Sequence, residues 1–273
     1  MRFFRKFLAY FFLILGSLVM IFPFLWMIIC SFKTHAEVIK FPPTFWPSHF
    51  SFENYTKAFS KAPFGKYFIN SVIVMILSVL TTTTTAILGA FAFSKMKFPG
   101  KHIIFSVLLS LMMIPFEMLI ITNYTTIVKL NLYNTIPALV MPFIANIFYT
   151  YILKNFFDTV SDSLYYSARI DGASNWLYLW RVLVPIAKPS LFTIILLNAL
   201  SSWNSFMWPL YVTSDAKART LPYGLQVFTT EAASLNELLM AASTIVVLPM
   251  ILLFVIARKY IVNGVSTGGL KGV

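Results

Sequence analysis

The sequence predicts an all-α integral membrane protein with six transmembrane helices. Only 11% of its 273 residues are charged and its mean hydropathy is +0.80, whereas roughly 25% of the residues of a soluble domain are charged. Uncharged stretches also recur along the chain, and roughly 20 apolar residues suffice to cross a hydrocarbon core of about 30 Å. These stretches cover 7–32, 67–94, 103–116, 118–128, 132–153, 189–214 and 238–257. With 103–128 taken as one span that Glu117 interrupts, six spans result.

The basic residues are distributed in a way that predicts topology and argues against nucleic-acid binding. The net charge is +12, but the 21 Lys and Arg residues stand singly or in pairs between apolar stretches. With the N-terminus inside, the inner segments hold 13 of them and the outer segments hold eight. Positive residues are enriched on the cytoplasmic side of a membrane, so we expect both termini to be cytoplasmic.

The first two helices carry packing signals. The first follows Arg2, Arg5 and Lys6, and it lacks the short apolar core and the cleavage site of a removable signal, so we expect it to be retained. The only cysteine, Cys30, lies near its end, and packing is its expected role. The second helix contains TTTTTAILGAFAF at 81–93. Its small residues favour close helix packing, with a solute path as the alternative.

The third span contains Pro115 and Glu117 within the membrane. An ionised carboxylate at that depth costs roughly 2.5–3.5 kcal/mol on insertion scales, so Glu117 should face protein or a water-filled cavity. Two interpretations are open: a functional placement, and a structural hydrogen bond near a proline kink.

A segment at about 155–189 is expected to form a helix–turn–helix elbow on the cytoplasmic side. Three apolar residues at helical spacing give one face of its first helix: Val160, Leu164 and Ala168. Gly172 suits the left-handed position that ends such a helix. Ser174 can cap a second helix, which Pro185 is expected to terminate. The pattern is compatible with a docking surface for a cytoplasmic partner and with a merely well-structured loop.

A polar stripe is predicted on the fifth span. At 100° per residue, four polar side chains fall within about 100° of arc, with Trp208 at the edge. They are Asn198, Ser201, Ser202 and Ser205. Such a stripe faces protein or a cavity. Hydroxyl and amide groups beside an aromatic ring suit a sugar, and hydrogen bonding between helices is the alternative use of the same groups.

Signatures of catalysis and metal binding are missing from the sequence. It contains no G-x-x-x-x-G-K-[ST] motif, so this chain is not expected to hydrolyse ATP by the P-loop route. His35, His49 and His102 are isolated, which argues against a metal site. No set of nucleophile, base and acid stands out. We therefore expect a protein that is not an enzyme and holds no metal or cofactor of its own.

The elbow segment is similar to the EAA loop of permease subunits in binding-protein-dependent ABC importers, whose pattern is E-A-A-x-x-x-G-x9-I-x-L-P. The chain has Tyr166-Ser167-Ala168, three residues, Gly172, nine residues, then Val182-Leu183-Val184-Pro185. ARIDGAS at 168–174 looks like the version in the carbohydrate-uptake branch. Further matches span most of the chain: MMIPFEM in helix 3, WNSFMWPL at 203–210 and RKYIVNGVSTGGLKG at 258–272. The last resembles the second, six-helix permease of maltose-type systems.

The resemblance implies one transmembrane permease domain over 1–273, of the type I ABC importer kind, in the bacterial cytoplasmic membrane. It implies ATP-driven import of a sugar, of di- or oligosaccharide size, by alternating access. The implied partners are a homologous second permease, two ATP-binding subunits that hold ATP and Mg²⁺, and an extracytoplasmic solute-binding protein.

The resemblance also implies roles for individual residues. Those expected to couple to the ATPase are Leu164, Tyr166, Ser167, Ala168, Asp171, Gly172 and Ala173. Ala145 and Phe148 occupy positions that approach substrate in the family's sugar-contacting subunits. Together with the polar stripe, Trp208 and Glu117, they form the expected substrate path.

An ion-gradient-driven secondary transporter or channel subunit is the alternative from another class. It would need inverted repeats and intramembrane coupling carboxylates. Glu117 is the one residue that qualifies, and the elbow would have no role. A membrane scaffold without transport would leave the polar stripe unexplained.

Tyr166 stands where the family pattern has a glutamate that supports an ion pair with the ATPase. If packing replaces this pair, Tyr166→Ala should weaken association of the ATP-binding subunit more than Tyr166→Phe, because phenylalanine keeps the ring. Co-purification of the subunits measures this difference. If both variants assemble like the wild type, Tyr166 does not contribute to association with the ATP-binding subunit.

Overall fold

The computed structural model describes the backbone of residues 2–229 and 235–268, and the side chains of residues 4–229 and 235–255. Within these residues every regular element is helical. The helices are α1 (Arg2–Ser31), α2 (His35–Val38), α3 (Glu53–Lys61), α4 (Phe64–Lys95), α5 (Lys101–Leu111), α6 (Ile120–Lys129), α7 (Ile136–Val140), α8 (Ile147–Thr159), α9 (Asp162–Ile170), α10 (Asn175–Tyr178), α11 (Val184–Ile186), α12 (Lys188–Trp203), α13 (Met207–Val212), α14 (Gln226–Thr229) and α15 (Asn236–Gly268). Short 3₁₀ turns occupy Phe116–Leu119, Met141–Phe143 and Pro222–Leu225. The side chains of the motif at 258–272 lie outside the described residues.

Three helices are each long and apolar enough to cross a membrane: Phe4–Ser31, Phe64–Lys95 and Asn236–Val255. Three further helix pairs are apolar enough only when their two helices are taken together, and each pair is bent: Lys101–Leu111 with Phe116–Lys129 at 90°, Ile136–Phe143 with Ile147–Thr159 at 48°, and Asn175–Ile186 with Lys188–Trp203 at 81°. With each pair counted as one span, the described residues give six spans, the number that the sequence predicts. The fifth differs at both ends: the sequence predicts 189–214, whereas the bent pair begins at Asn175, in the second elbow helix, and ends at Trp203.

The chain divides into two compact units, Met1–Phe64 with Leu221–Ile251, and Gly65–Thr220 with Leu252–Val273. In the first unit, α1 is exposed along most of its length and becomes buried at its C-terminal end, where Cys30 lies. The Asn54 amide donates to the Ser31 and Lys33 carbonyls at 2.9 and 2.8 Å. Lys33 is itself buried and donates to the Thr44 carbonyl. The bond to Ser31 satisfies a carbonyl that the end of α1 leaves unpaired.

The second unit has its core where α4, α8 and the helices around residue 180 meet. Small residues of α4 allow this approach, as the run at 81–93 predicts. Ala86 and Ala90 are fully buried against larger side chains such as Leu153 and Phe157. A Cβ atom added at Gly89 would lie 3.1 Å from Thr150 Cγ2, closer than ordinary van der Waals contact. The two helices therefore pack at a distance that a larger residue would prevent.

The elbow forms with the turn that the sequence predicts. Gly172 has a φ of +82° and follows the last turn of α9. The Gly172 N–H donates to the Arg169 carbonyl at 3.1 Å, and the Ala173 N–H donates to the Ala168 carbonyl at 2.9 Å. These two bonds define a Schellman motif. Ser174 then caps α10, because its hydroxyl accepts from the Leu177 N–H at 3.1 Å.

Two details of the elbow correct the sequence analysis. Val160 precedes α9 in extended backbone, and Leu164 is largely exposed, so the residues of the elbow that pack on the core are Tyr165 and Ala168 together with Val160. The expected i, i+4, i+8 face is wrong because α9 begins only at Asp162.

Pro185 does not terminate the second elbow helix. A π-helical turn at Leu179–Leu183 lets the Val184 N–H bond to the Leu179 carbonyl, five residues back. This wider turn lies where an α-helix would press the proline ring against the Arg181 carbonyl. The helix continues to Ile186, and the 81° bend falls at the start of α12.

Lys95 fastens the elbow to the end of α4. Its side chain is 3% exposed and its ammonium donates to the Val160 carbonyl and to Asp162 Oδ1, both at 2.7 Å. The hydrogen bond from Lys95, reinforced by its charge, lowers the pKa of the Asp162 carboxyl. Ser94 adds a bond of 2.7 Å to Asp158 at the end of α8. One end of α4 thus holds both sides of the junction between α8 and α9.

We expect Gly172→Val to disrupt the elbow without preventing membrane insertion. A Cβ at Gly172 would meet no atom within 4 Å, so the cost is conformational. A β-branched residue at positive φ costs at least about 1 kcal/mol. Uptake and co-purification of the ATP-binding subunit should both fall.

Gly172→Asn is the matched control, because asparagine tolerates the left-handed region. Normal uptake together with normal ATPase recruitment in Gly172→Val would contradict a coupling role for the elbow.

Candidate functional site

A cavity of about 390 Å³ lies within the second unit, where the bent spans open. Its wall contains residues from α4, α8 and α12 and from the breaks between helices. The lining residues are Val74, Ser78, Thr82, Phe116, Glu117, Ile120, Leu139, Phe143, Asn146, Tyr149, Asn198, Ser201, Ser202, Asn204, Ser205, Phe206, Met207, Trp208, Pro209 and Thr220. The wall therefore combines hydroxyl and amide groups with aromatic rings.

The bends between α5 and α6 and between α7 and α8, and a break after α12, supply part of this wall. The 3₁₀ turn that follows Pro115 supplies Phe116 and Glu117. The second break ends at Asn146, which caps α8 by accepting from the Tyr149 N–H at 3.2 Å. A further break, at 204–206, is separate from the three bends described above and lies between α12 and α13. A break in a helix exposes backbone groups, so each needs partners within the protein when it lies at membrane depth.

Side chains of α4 supply partners at the second break. The Thr82 hydroxyl donates to the Phe143 carbonyl at 2.7 Å, and the Thr85 hydroxyl donates to the Ile144 carbonyl at 2.6 Å. Thr84, between them in sequence, instead donates to the Leu80 carbonyl of its own helix. The threonine run thus does more than permit close packing, the role expected for it from sequence.

Trp208 supplies a partner on the other side of the cavity. Its side chain is fully buried, and its indole N–H donates to the Ala138 carbonyl of α7 at 2.9 Å. Its ring also packs edge-on against Phe116, with centroids 5.8 Å apart. The prediction placed Trp208 at the edge of a continuous helical stripe, and this geometry is wrong because α12 ends before it. The break at 204–206 is what brings Trp208 to the cavity.

The polar stripe faces the cavity. Asn198, Ser201, Ser202 and Ser205 all line it, and Asn198 is 6% exposed. None of these four side chains hydrogen-bonds to another residue in the part of the chain that is described. Other helical hydroxyls behave differently: Ser110 and Thr193, for instance, donate to carbonyls of their own helices. Within the described residues, hydrogen bonding between helices therefore does not account for the stripe.

Glu117 also lines the cavity, in the 3₁₀ turn between α5 and α6, and it is exposed. Its carboxylate makes no ion pair or side-chain hydrogen bond with the described residues, so the structural hydrogen bond considered from sequence is not formed. The remaining predicted path residues, Ala145 and Phe148, are not among the lining residues, and Phe148 is largely exposed. The structure thus brings six of the eight path residues together and leaves these two outside.

The expected coupling residues occupy the elbow with different exposures. Tyr166 is 48% exposed, and its ring contacts Tyr165 with centroids 5.6 Å apart. Four others are exposed: Leu164, Ser167, Asp171 and Gly172. Ala168 and Ala173 are partly buried, in agreement with their bonds in the turn. The exposed residues of this set therefore lie on α9 and at the turn that follows it.

Three residues important to the cavity were not predicted from sequence. They are Thr82, Thr85 and Asn146. Each of these side chains bonds to a backbone group at a break between helices. Predicting these bonds therefore requires knowing first where the helices break. Asn146 before an apolar run could have been recognised as a helix N-cap.

A model of the binding-protein-dependent transport system inner membrane component matches residues 85–267. The chain belongs to this family. It is therefore a multi-pass inner-membrane component of a transport system.

Relatives along nearly the whole chain agree with this assignment. The trehalose/maltose transport system permease protein MalG of Thermococcus litoralis is 34% identical, over 95% of this chain and 94% of that protein. The arabinooligosaccharides transport system permease protein AraQ of Bacillus subtilis is 30% identical, over 98% and 96%. The diacetylchitobiose uptake system permease protein NgcG of Streptomyces coelicolor is 30% identical, over 94% and 86%.

A solved structure has the same fold. It is the crystal structure of a bacterial ABC transporter involved in the import of the acidic polysaccharide alginate. The TM-score is 0.82 at 24% sequence identity, and the match covers 95% of this chain and 98% of that chain. The fold of this chain is therefore one already known from a solved structure.

We expect Thr82→Val to destabilise the second break. Valine keeps the shape of the side chain but leaves the Phe143 carbonyl without its donor, and a buried group left unsatisfied costs about 1–3 kcal/mol. The melting temperature of the purified complex in detergent should fall.

Thr84→Val is the matched control, because Thr84 is exposed and its hydroxyl bonds only within its own helix. Equal melting temperatures for the two variants would show that the Thr82 bond does not support the cavity.

Proposed function

We propose that this chain is a permease subunit of an ATP-driven ABC importer that moves a sugar, of di- or oligosaccharide size, into the cytoplasm. The observation that carries the proposal is the cavity with its unpaired polar stripe, set beside aromatic rings. Sugars offer many hydroxyl groups and apolar ring faces, and sites for small ligands combine apolar walls with a few convergent polar groups. The names of the three relatives described above refer to saccharides, which supports the same class of solute.

The elbow supports coupling to separate ATP-binding subunits. Its turn is rigid, because the two bonds of the Schellman motif and the Ser174 cap define it. It is also held by Lys95 to the end of α4, which carries the Thr82 and Thr85 supports of the cavity wall. A displacement of the elbow would therefore reach the cavity through one continuous helix. Alternating access requires such a rigid element with two positions.

The complex that we propose contains this chain, a second, homologous permease, two ATP-binding subunits and an extracytoplasmic solute-binding protein. ATP and Mg²⁺ would be held by the ATP-binding subunits, and this chain would hold no cofactor and catalyse no reaction itself. The membrane is the bacterial cytoplasmic membrane, with both termini and the elbow on the cytoplasmic side, in keeping with the distribution of Lys and Arg.

A transporter driven by an ion gradient has less support. Glu117 is the one intramembrane carboxylate among the lining residues, and such a transporter would leave the elbow and its anchor without a role.

We expect Ser202→Leu to assemble with its partners and to transport poorly. Leucine removes a hydroxyl that could bond a sugar, which is worth about 0.5–1.5 kcal/mol, and it fills part of the cavity. The measurement is sugar uptake by vesicles that contain the complex, after a ligand screen of the binding protein has named the sugar.

Leu200→Met is the control on the same helix, because Leu200 does not line the cavity and methionine nearly conserves its volume. Wild-type uptake by Ser202→Leu would mean that the stripe serves helix packing in the assembled complex.

A further inference from the structure

The segment between α2 and α3, residues 39–52, exposes a cluster of apolar side chains, most of them aromatic. The exposed side chains are Ile39, Phe41, Phe45, Trp46, Phe50 and Phe52. Phe41 is the most open of them, at 92%. Clustered exposed apolar side chains mark a surface that binds a protein or a membrane. We name this segment the aromatic loop, and neither the cavity nor the elbow gives its rings a role.

Hydrogen bonds to the rest of the first unit hold the aromatic loop in this conformation. The Thr44 carbonyl accepts from the ammonium of Lys33, which is buried. The Ser48 N–H donates to Glu37 Oε1 at 2.8 Å, and the Thr34 N–H donates to Glu37 Oε2 at 2.8 Å. Hydrogen bonds from Ser48 and Thr34 lower the pKa of the Glu37 carboxyl to about 2. The loop is thus fixed with its rings outward, the reverse of what a loop in water favours.

Ring contacts place the aromatic loop beside the end of a membrane span. Phe45 packs on Trp26, with centroids 5.8 Å apart. Phe50 and Phe52 both pack on Phe32, at 5.7 and 5.3 Å. Trp26 belongs to the last turns of α1, one of the spans, and Phe32 directly follows that helix. The loop therefore lies at the level where α1 leaves the hydrocarbon and meets the headgroups.

The composition of the aromatic loop suits that level of a membrane. Tryptophan gathers at the headgroup level, because its ring has an apolar body and a polar N–H. Phenylalanine is common on protein surfaces that sink into the boundary between headgroups and acyl chains. Lys40, beside Phe41, is exposed, so its stem can lie on apolar surface while its ammonium reaches the headgroups.

We propose that the aromatic loop inserts into the membrane interface at the C-terminal end of α1, with its rings between lipid headgroups and the first carbons of the acyl chains. Its ring contacts with Trp26 and Phe32 then fix the depth of that end of α1. In the topology proposed above, this interface belongs to the outer leaflet. The proposal goes beyond the transport function and does not depend on which solute enters the cavity.

Spin labels report what surrounds the rings. Cys30→Ser removes the one cysteine of the chain, and Phe41→Cys, Trp46→Cys and Phe50→Cys then each supply a single site for a label. The complex, with its other subunits also freed of cysteine, is reconstituted in bilayers of phosphatidylethanolamine and phosphatidylglycerol. Power-saturation EPR compares relaxation by oxygen, which concentrates in hydrocarbon, with relaxation by nickel ethylenediaminediacetate, which stays in water. Spin-labelled lipids in the same bilayers calibrate the depth.

We expect oxygen to relax the label more than the nickel complex does at two or more of the three loop positions, as it does for a lipid labelled just below its headgroup. Ser60→Cys is the control within the same unit. Ser60 is exposed on the polar face of α3, beside the exposed ion pair of Glu53 and Lys57. The nickel complex should therefore dominate at Ser60→Cys.

Two results would overturn the proposal if found at two or more loop positions. Relaxation by the nickel complex as strong as at Ser60→Cys would show that the rings face water. Weak relaxation by both reagents would show that a protein, the second permease or the solute-binding protein, covers them. Sugar uptake tests the proposed function separately, so a complex that imports sugar while its loop faces water or protein disproves the membrane contact alone.

Discussion

Backbone groups at membrane depth must find hydrogen bonds inside the protein, because hydrocarbon offers none. This constraint is clearest in the second unit at the bend between α7 and α8. There Thr82, Thr85 and Trp208 donate to the carbonyls of Phe143, Ile144 and Ala138, and Asn146 accepts from the first turn of α8. Without these partners the breaks would close into regular helix or expose unpaired groups to lipid. With them, the spans open around a polar cavity at modest cost.

The cavity and the elbow depend on the same helix. The middle of α4 supports the cavity wall through its threonines, its small residues let α8 approach, and its last residue, Lys95, holds the start of α9. A rigid helix that touches both sites gives a physical route by which a movement at the elbow changes the cavity. This continuous helix is a structural argument that the elbow and the cavity are coupled. To show the coupling energetically, both sites must be found to shift the equilibrium of the same two-state element.

Much of this arrangement could be predicted from sequence, and the remainder depends on tertiary contacts. Apolar runs mark the spans, and Gly172 and Ser174 mark the turn, because these signals are local and few other residues suit a left-handed position or a helix cap. The end of α12 at Trp203 has no such signal: its polar residues continue a helical pattern, and the carbonyl of Ala138 that pairs with Trp208 is distant in sequence. The prediction that Pro185 ends the helix is wrong because a π-helical turn precedes the proline and the helix continues to Ile186. The sequence carries no local signal for this turn. The hydroxyls of Thr82 and Thr85 have targets that exist only once the neighbouring span has broken.

The most direct test of the account is a cryo-EM structure of the assembled complex trapped with its sugar between the inward-facing and outward-facing states. The account predicts density for the sugar within hydrogen-bond distance of at least one of Asn198, Ser201, Ser202 and Ser205, with the break at 204–206 preserved. It would be contradicted if the sugar contacted the partner permease alone while these side chains bonded to neighbouring helices.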